Sequence, residues 1–212
     1  MKEEQISAYS KEIAVFKQKD LFNSRDESTN NPINRFDGYN KEHCWQYEIR
    51  LQNLNKDLEE CGITKTEVEK MVLSDFSFDY IDSAQKTDCR QIKSFIERHE
   101  WLSKMPNRPT HRFTAKYKGY TAGAVVMATP NSFSNILGSE HRDKEKLISR
   151  GACISWSPKN LGSWLVMRSI KWMVKNTDFR VFTAYSDPEA KELGTIYQAC
   201  NFYYLGKRFG SK

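Results

Sequence analysis

With 212 residues, 39% of them hydrophobic, the chain has material for one sizeable core, or for a core domain with a smaller helical one beside it. No apolar run approaches the length of a membrane span, and the opening MKEEQISAYSKEIAVF carries charges where a signal peptide needs an apolar stretch; we expect a soluble protein of the cytoplasm. Five scattered cysteines with no CxxC (Cys44, Cys61, Cys89, Cys153 and Cys200) favour free thiols over a disulfide framework or a zinc site, and no metal is expected.

The formal charge of +6 is unevenly spread. Residues 1–90 hold 13 Lys and Arg against 18 Asp and Glu, whereas residues 91–212 hold 20 against 9. A basic second part favours a polyanionic partner, since phosphate contacts supply affinity without sequence information. A solvated basic surface without a partner is the alternative.

Residues 1–40 read as a flexible arm or linker: a short helix over 3–19, then the polar, turn-rich NSRDESTNNPINRFDGYN. A helical segment is expected over 41–94. Trp45, Ile49, Leu51, Leu54, Leu58 and Cys61 lie at helical spacings, and Gly62 follows as a C-terminal cap. Thr64 to Glu67 then forms a capping box before a second helix through about Leu73. A further helix lies within Asp82 to Trp101, with Ile92, Phe95 and Ile96 on one side.

The segment HEWLSKMPNRPTHRF reads as a constrained loop, because its prolines exclude a regular helix or central strand. FTAKY and YTAGAVVMA form a hairpin about Lys118-Gly119, with Gly123 marking a bulge, and an irregular insertion runs from Ala128 to Ser149. From Gly151 to Phe202 the chain reads as strand (GACISW), turn, long amphipathic helix, strand (FRVFTAYSD) and helix, the pattern of a parallel crossover. The turn Ser157 to Ser163 ends a strand and opens the long helix, so the N–H groups of Leu161, Gly162 and Ser163 suit either an anion or an ordinary capped start. An antiparallel beginning with a parallel centre defines a mixed α/β sheet.

That order of elements, with Leu193-Gly194-Thr195-Ile196-Tyr197-Gln198-Ala199-Cys200-Asn201-Phe202 on the late helix, resembles the GNAT family of N-acetyltransferases over roughly residues 95–208. The resemblance implies a GNAT-like catalytic domain over 95–212 and acetyl-CoA or another acyl donor, held by Leu161, Gly162, Ser163 and Arg150. A closer resemblance is to the phage Mom-type proteins, a divergent GNAT-like group that alters the exocyclic amine of adenine in DNA. His99, Tyr117, Arg150, Ser163, Asp187 and Tyr197 match that group's constellation in order and approximate spacing, and Glu100 stands where the group carries an aromatic.

Acyl transfer to an amine needs a path for the amine's proton, a donor to the developing oxyanion and an acid for the leaving group. With the resemblance, Tyr197 becomes the candidate acid, Asp187 the base or orienting group, and His99 and Tyr117 further catalytic candidates. Each has a plain alternative: Tyr197 as a packed core residue, Asp187 as a turn cap before Pro188, His99 as a satisfied loop histidine, and Arg150 as the partner of Asp187. Duplex DNA is the expected substrate. Trp101, Trp156 and Tyr185 are candidates to stack on an extruded base, and Trp101, Lys104, Arg108, Arg112, Lys116 and Lys118 to bind nucleic acid.

Two rivals stay open: an acetyltransferase for a small amine or a protein lysine, and a non-catalytic nucleic-acid-binding protein that kept the fold. FYYLGKRF reads as a last strand whose pairing partner does not follow before Lys212. Either the chain is a fragment, or the final strand comes from another chain or is absent, and an exposed strand edge would be an association surface for a homo-oligomer.

Overall fold

A helix that buries almost nothing apolar opens the described part of the chain. The computed structural model describes residues 44–130 and 136–205, so the arm read over 1–40 lies outside the described residues. Helix α1 runs Trp45–Cys61 and stops at Gly62, whose φ of 60° is the left-handed cap that the sequence leads one to expect. Of its apolar positions, Trp45 and Leu51 stay exposed; its buried residue is Asp57. The face turned to the body is a polar stripe, Gln46, Arg50, Asn53 and Asp57, at the same helical spacing.

That stripe docks by hydrogen bonds. Gln46 Nε2 donates to the His99 carbonyl, Arg50 donates to the carbonyls of Ser155 and Ser157, and Asn53 Nδ2 donates to that of Arg98. Asp57 collects Arg98, His99 Nε2 at 3.1 Å and the Ser155 amide at 3.2 Å. Helix α2, Lys65–Lys70, is capped by Thr64, whose hydroxyl accepts from the Glu67 amide. It ends three residues earlier than expected, and a single 3-10 turn at Leu73–Asp75 follows.

Strand β1, Ser77–Ile81, lies inside the stretch read as helical. Helix α3 spans Lys86–His99 and buries Ile92, Phe95 and Ile96 as its spacing requires. Strands β2 (Pro109–Tyr117) and β3 (Tyr120–Ala128) form the expected hairpin. Their register slips between Ala115 and Lys116, leaving Ala122 as the extra residue beside Gly123. Pro109 does not keep this segment a loop, because it is the first strand residue, where a missing N–H is tolerated. His111 and Arg112 therefore belong to β2.

Strand β4 is Glu145–Cys153, so it begins well before the expected Gly151 and cuts into the supposed insertion. Helix α4 spans Leu161–Asn176, β5 spans Val181–Ala184 and helix α5 spans Thr195–Ala199. The sheet order is β1-β2-β3-β4-β5, antiparallel up to β4 and parallel between β4 and β5. This is a mixed sheet with an N-terminal helical extension, as the order of elements in the sequence leads one to expect. Strand β3 is buried from Ala122 to Ala128, as expected for a strand covered on both faces by α3 and α4. Residues 201–205 fall in a unit separate from 40–200 and form no strand, contrary to the expectation for FYYL. The rest of that stretch lies outside the described residues.

Burial raises the Asp57 pKa, but the hydrogen bonds from His99 and Ser155 outweigh it and hold the carboxyl below 3.8. Its stabilising contribution is thus present above pH 3.8 and lost as pH falls through the lower folded value. Asp57→Ala is expected to lower unfolding free energy by about 3 kcal/mol near neutrality. Urea titration should show that gap narrowing as pH falls below 3.8 and through the Asp57 pKa.

Candidate functional site

The β4–β5 ladder ends at the pair Ile148–Ala184, while β4 continues through Ser149, Arg150, Gly151, Ala152 and Cys153. Beyond that pair the two parallel strands part, and Gly151 is exposed on the open edge. Clefts at the carboxyl ends of strands, where neighbouring connections diverge, are the usual ligand positions in such sheets. Helix α5 sits over this opening. Ile196 lies on the α4 side, where a Cβ added to Gly162 would stand 3.1 Å from Ile196 Cδ1 and 3.6 Å from Cys153 Sγ.

Tyr197 faces a cluster of charges. Its hydroxyl is deeply packed although the residue as a whole is half-buried, and desolvation, reinforced by Glu192 and Glu100, pushes its pKa far above the usual tyrosine range. Arg150, from the open edge of β4, donates from Nε to the Lys104 carbonyl at 2.7 Å and stands 3.8 Å from Glu100 Oε2. Glu100 follows the last residue of α3, is 6% exposed, and leaves Oε2 without a hydrogen bond. Burial pushes its carboxyl from 4.5 to about 7, against the pull of Arg150 and with a further push from Glu192.

Glu192 links this cluster to the turn after β5. Its carboxylate accepts from Trp101 Nε1 at 3.0 Å and from the Asp187 amide at 3.1 Å, and burial raises its pKa too. Asp187 itself accepts from the Glu189 amide at 2.9 Å, the arrangement of a turn cap. Ser163 donates its hydroxyl to the Asn160 carbonyl at 3.1 Å, and the Ser163 carbonyl accepts from Cys200 Sγ.

Two candidates lie elsewhere. His99 is 5% exposed, its ring tilted against Phe95, with Nδ1 on the Phe95 carbonyl and Nε2 on Asp57. Tyr117 ends β2 at the hairpin, about five strand positions or roughly 17 Å along the sheet from the row that holds Arg150, and donates to Glu67 at 2.8 Å. The structure thus brings Tyr197, Arg150 and the Asp187 turn into one neighbourhood and seats His99 and Tyr117 in other contacts. Glu100 and Glu192 were not singled out from the sequence as site residues. The signal available for Glu100 was its place directly after a helix end, beside the residue that was chosen.

The family model for the Mom protein family matches residues 83–211. The chain belongs to the Mom protein family. No curated protein matches it. Similar solved structures include an aminoglycoside acetyltransferase, meta-AAC0020, from an uncultured soil metagenomic sample, with 11% identity, 67% of this chain and 99% of that one covered, and a TM-score of 0.49. Another is the aminoglycoside N-acetyltransferase AAC(6')-Iy in complex with CoA, with 11% identity, 65% and 93% covered, and a TM-score of 0.46. A third is the ribosomal-protein-alanine N-acetyltransferase of Brucella melitensis biovar Abortus 2308, with 8% identity, 65% and 98% covered, and a TM-score of 0.43.

The nucleic-acid candidates of this Mom-family chain are dispersed. Lys104 and Arg108 are exposed on the loop before β2. Arg112 has Nε and one terminal nitrogen buried without a hydrogen bond, so it is not part of the loop surface. Lys116 pairs with Asp79, and Lys118 pairs with Glu67. Trp101 packs edge-on against Trp45. Trp156 is 1% exposed against Tyr117, which removes it as a wall for a base, whereas Tyr185 is exposed.

A carboxyl raised from 4.5 to about 7 takes up a proton on folding, so its cost to stability is absent below pH 4.5, grows across that window and is complete above 7. Glu100→Gln is therefore expected to be more stable than wild type above pH 7, by up to roughly 3 kcal/mol. Urea midpoints for the two proteins should converge as pH falls through the window.

Proposed function

We propose that this chain transfers an acyl-type group to the exocyclic amine of a DNA base, adenine being the base implied by its Mom-type constellation. The observation that carries the reading is Glu100: a buried carboxylate with one unsatisfied oxygen, beside Arg150 on the open edge of β4 and under Tyr197. A carboxylate poised near neutrality suits proton transfer at physiological pH.

The unpaired edge from Ser149 to Cys153 fits the extended, amide-bearing arm of an acyl thioester, because its backbone groups have no strand partner on the β5 side. Leu161, Gly162 and Ser163 at the start of α4 would lie toward the donor's anionic end. Such a donor, when bound, supplies an activated carbonyl carbon to the attacking amine. Ionised Glu100 takes the proton that the nitrogen loses as its new bond to carbon forms. Tyr197, kept protonated at neutral pH, gives its proton to the departing sulfur. Arg150 holds Glu100 in place and limits how far its pKa rises. An exocyclic amine has its lone pair delocalised into the ring, so a nearby acceptor matters more than for an alkylamine.

A second reading has its own support. Ile196 occupies the open flank of Gly162, and Cys200 lies on the Ser163 carbonyl, so the start of α4 is closely covered by α5. A non-catalytic nucleic-acid-binding protein would retain such a covered site.

Incubation with a labelled acyl donor and either duplex DNA or a polyamine, followed by mass spectrometry of nucleosides, separates these readings. A modified adenosine is expected, with turnover rising through about pH 7 as Glu100 ionises. Glu100→Gln should lose on the order of 10²- to 10⁴-fold in kcat and flatten that profile, and Tyr197→Phe should lose activity with folding intact. Label on the polyamine alone would refute the base as acceptor, and no transfer at all would leave the binding reading.

A further inference from the structure

The exposed face of α4 carries basic side chains beside aromatic rings. A groove of about 1030 Å³ runs along it, floored by Phe78, Trp164 and Trp172 and flanked by Arg168, Lys171 and Lys175. No acidic residue lines it, and α4 contains none. Arg168, Lys171 and Lys175 are exposed, and none has an acidic partner among the described residues. By contrast, Lys116 and Lys118 of the hairpin are already paired.

Spacing puts the three cations in one row. Positions 168, 171 and 175 are separated by three and four residues, so they share a face and span about 10 Å along the axis. Over that length a duplex presents on the order of three phosphates per strand. The aromatics hold this row and are not themselves open for stacking. Arg168 lies 4.5 Å above the Trp164 ring, and Trp172 is stacked on Tyr80 at 4.1 Å. Rings already in contact favour backbone phosphates over unpaired bases as the occupant. At its other end the groove reaches Asn160 and Ser163 at the start of α4, and Ala199 of α5, two residues from Tyr197. A strand lying along the row therefore leads toward the opening of the sheet.

We propose that Arg168, Lys171 and Lys175 on α4 bind the phosphate backbone of duplex DNA and deliver it toward the β4–β5 opening. The choice of duplex DNA rests on the reading above; the surface and its preference for a polyanion rest on the charges and geometry of α4.

The test is fluorescence anisotropy of the full chain with a short labelled duplex over a salt series. The triple variant Arg168→Gln, Lys171→Gln, Lys175→Gln is expected to bind ~10-fold or more weakly at low salt, with its log–log salt slope reduced by about 2–3. The charge-conserving triple Arg168→Lys, Lys171→Arg, Lys175→Arg should bind like wild type, and matching melting curves establish that the variants fold. The pair Lys104→Gln, Arg108→Gln should change binding less. Unchanged affinity and slope in the neutral triple overturn the proposal, as do dependence on the loop pair alone, α4-dependent binding of single strands only, or no duplex binding by wild type. Nucleoside analysis keeps the two readings apart: α4-dependent binding without modification sinks the transferase reading alone, whereas modification with α4-independent binding sinks this surface alone.

Discussion

One buried carboxylate holds the parts of the site region together. Asp57 is 1% exposed and accepts at once from the end of α3, through Arg98 and His99, and from the chain leaving β4, through the Ser155 amide. A buried charge is tolerated only when its lone pairs are satisfied, so these three donors and Asp57 define one another's positions. Glu100 and Trp101 come next after His99, and Ser155 lies two residues past Cys153. Helix α1 adds Gln46 on the His99 carbonyl and on the Trp101 amide, Arg50 on the carbonyls of Ser155 and Ser157, and the Trp45 amide on the Ala190 carbonyl. It is a polar strap across three loops at the carboxyl end of the sheet, so its worth lies in positioning more than in apolar burial.

Within the frame so fixed, the charge count explains why two carboxyls titrate high. Glu100 and Glu192 share a poorly solvated space with a single guanidinium, Arg150, which is itself committed to the Lys104 and Ser149 carbonyls. The pull of Arg150 does not offset the burial of Glu100 together with the push of Glu192. Glu192 is the better satisfied, by Trp101 and Asp187, so the unmet demand falls on Glu100. A proton held there near neutrality follows from the arrangement, as does a Tyr197 that stays protonated beside two carboxylates.

The legible parts of the sequence were those in which periodicity agrees with burial. Helices α3 and α4, the β2–β3 hairpin with its bulge, and the β4–α4–β5 crossover could all be read from apolar spacing and turn chemistry. Strand β4 was read late because Glu145 and Lys146 look like loop and are in fact buried: Glu145 accepts the Ile136 and Leu137 amides, and Lys146 donates to Thr129 and lies over Phe179. Strand β1 lies between helices α2 and α3 and is absorbed into the stretch read as helical over 41–94. Helix α1 was found for the wrong face, since a stripe of Gln46, Arg50, Asn53 and Asp57 reads as solvated surface under any rule that counts only apolar residues. At the site, His99 drew attention as a chemically versatile side chain, but a sequence cannot say which of two neighbours at a helix end turns inward to a closed network and which to an opening.

The same helix end shows why the two residues diverge. His99 is the last helical residue of α3, and its ring is held against Phe95 one turn earlier, with Nδ1 on the Phe95 carbonyl and Nε2 on Asp57. At Glu100 the backbone has already left helical geometry, at φ −109° and ψ 136°, and the side chain swings out of the α3 stripe toward Arg150. A change of backbone conformation between two consecutive residues thus sends one side chain into the Asp57 network and the other toward Arg150. Glu100 is thus an ionisable group flanked on both sides by the polar strap, through Gln46 on the His99 carbonyl and the Trp101 amide, and it faces the open edge of β4.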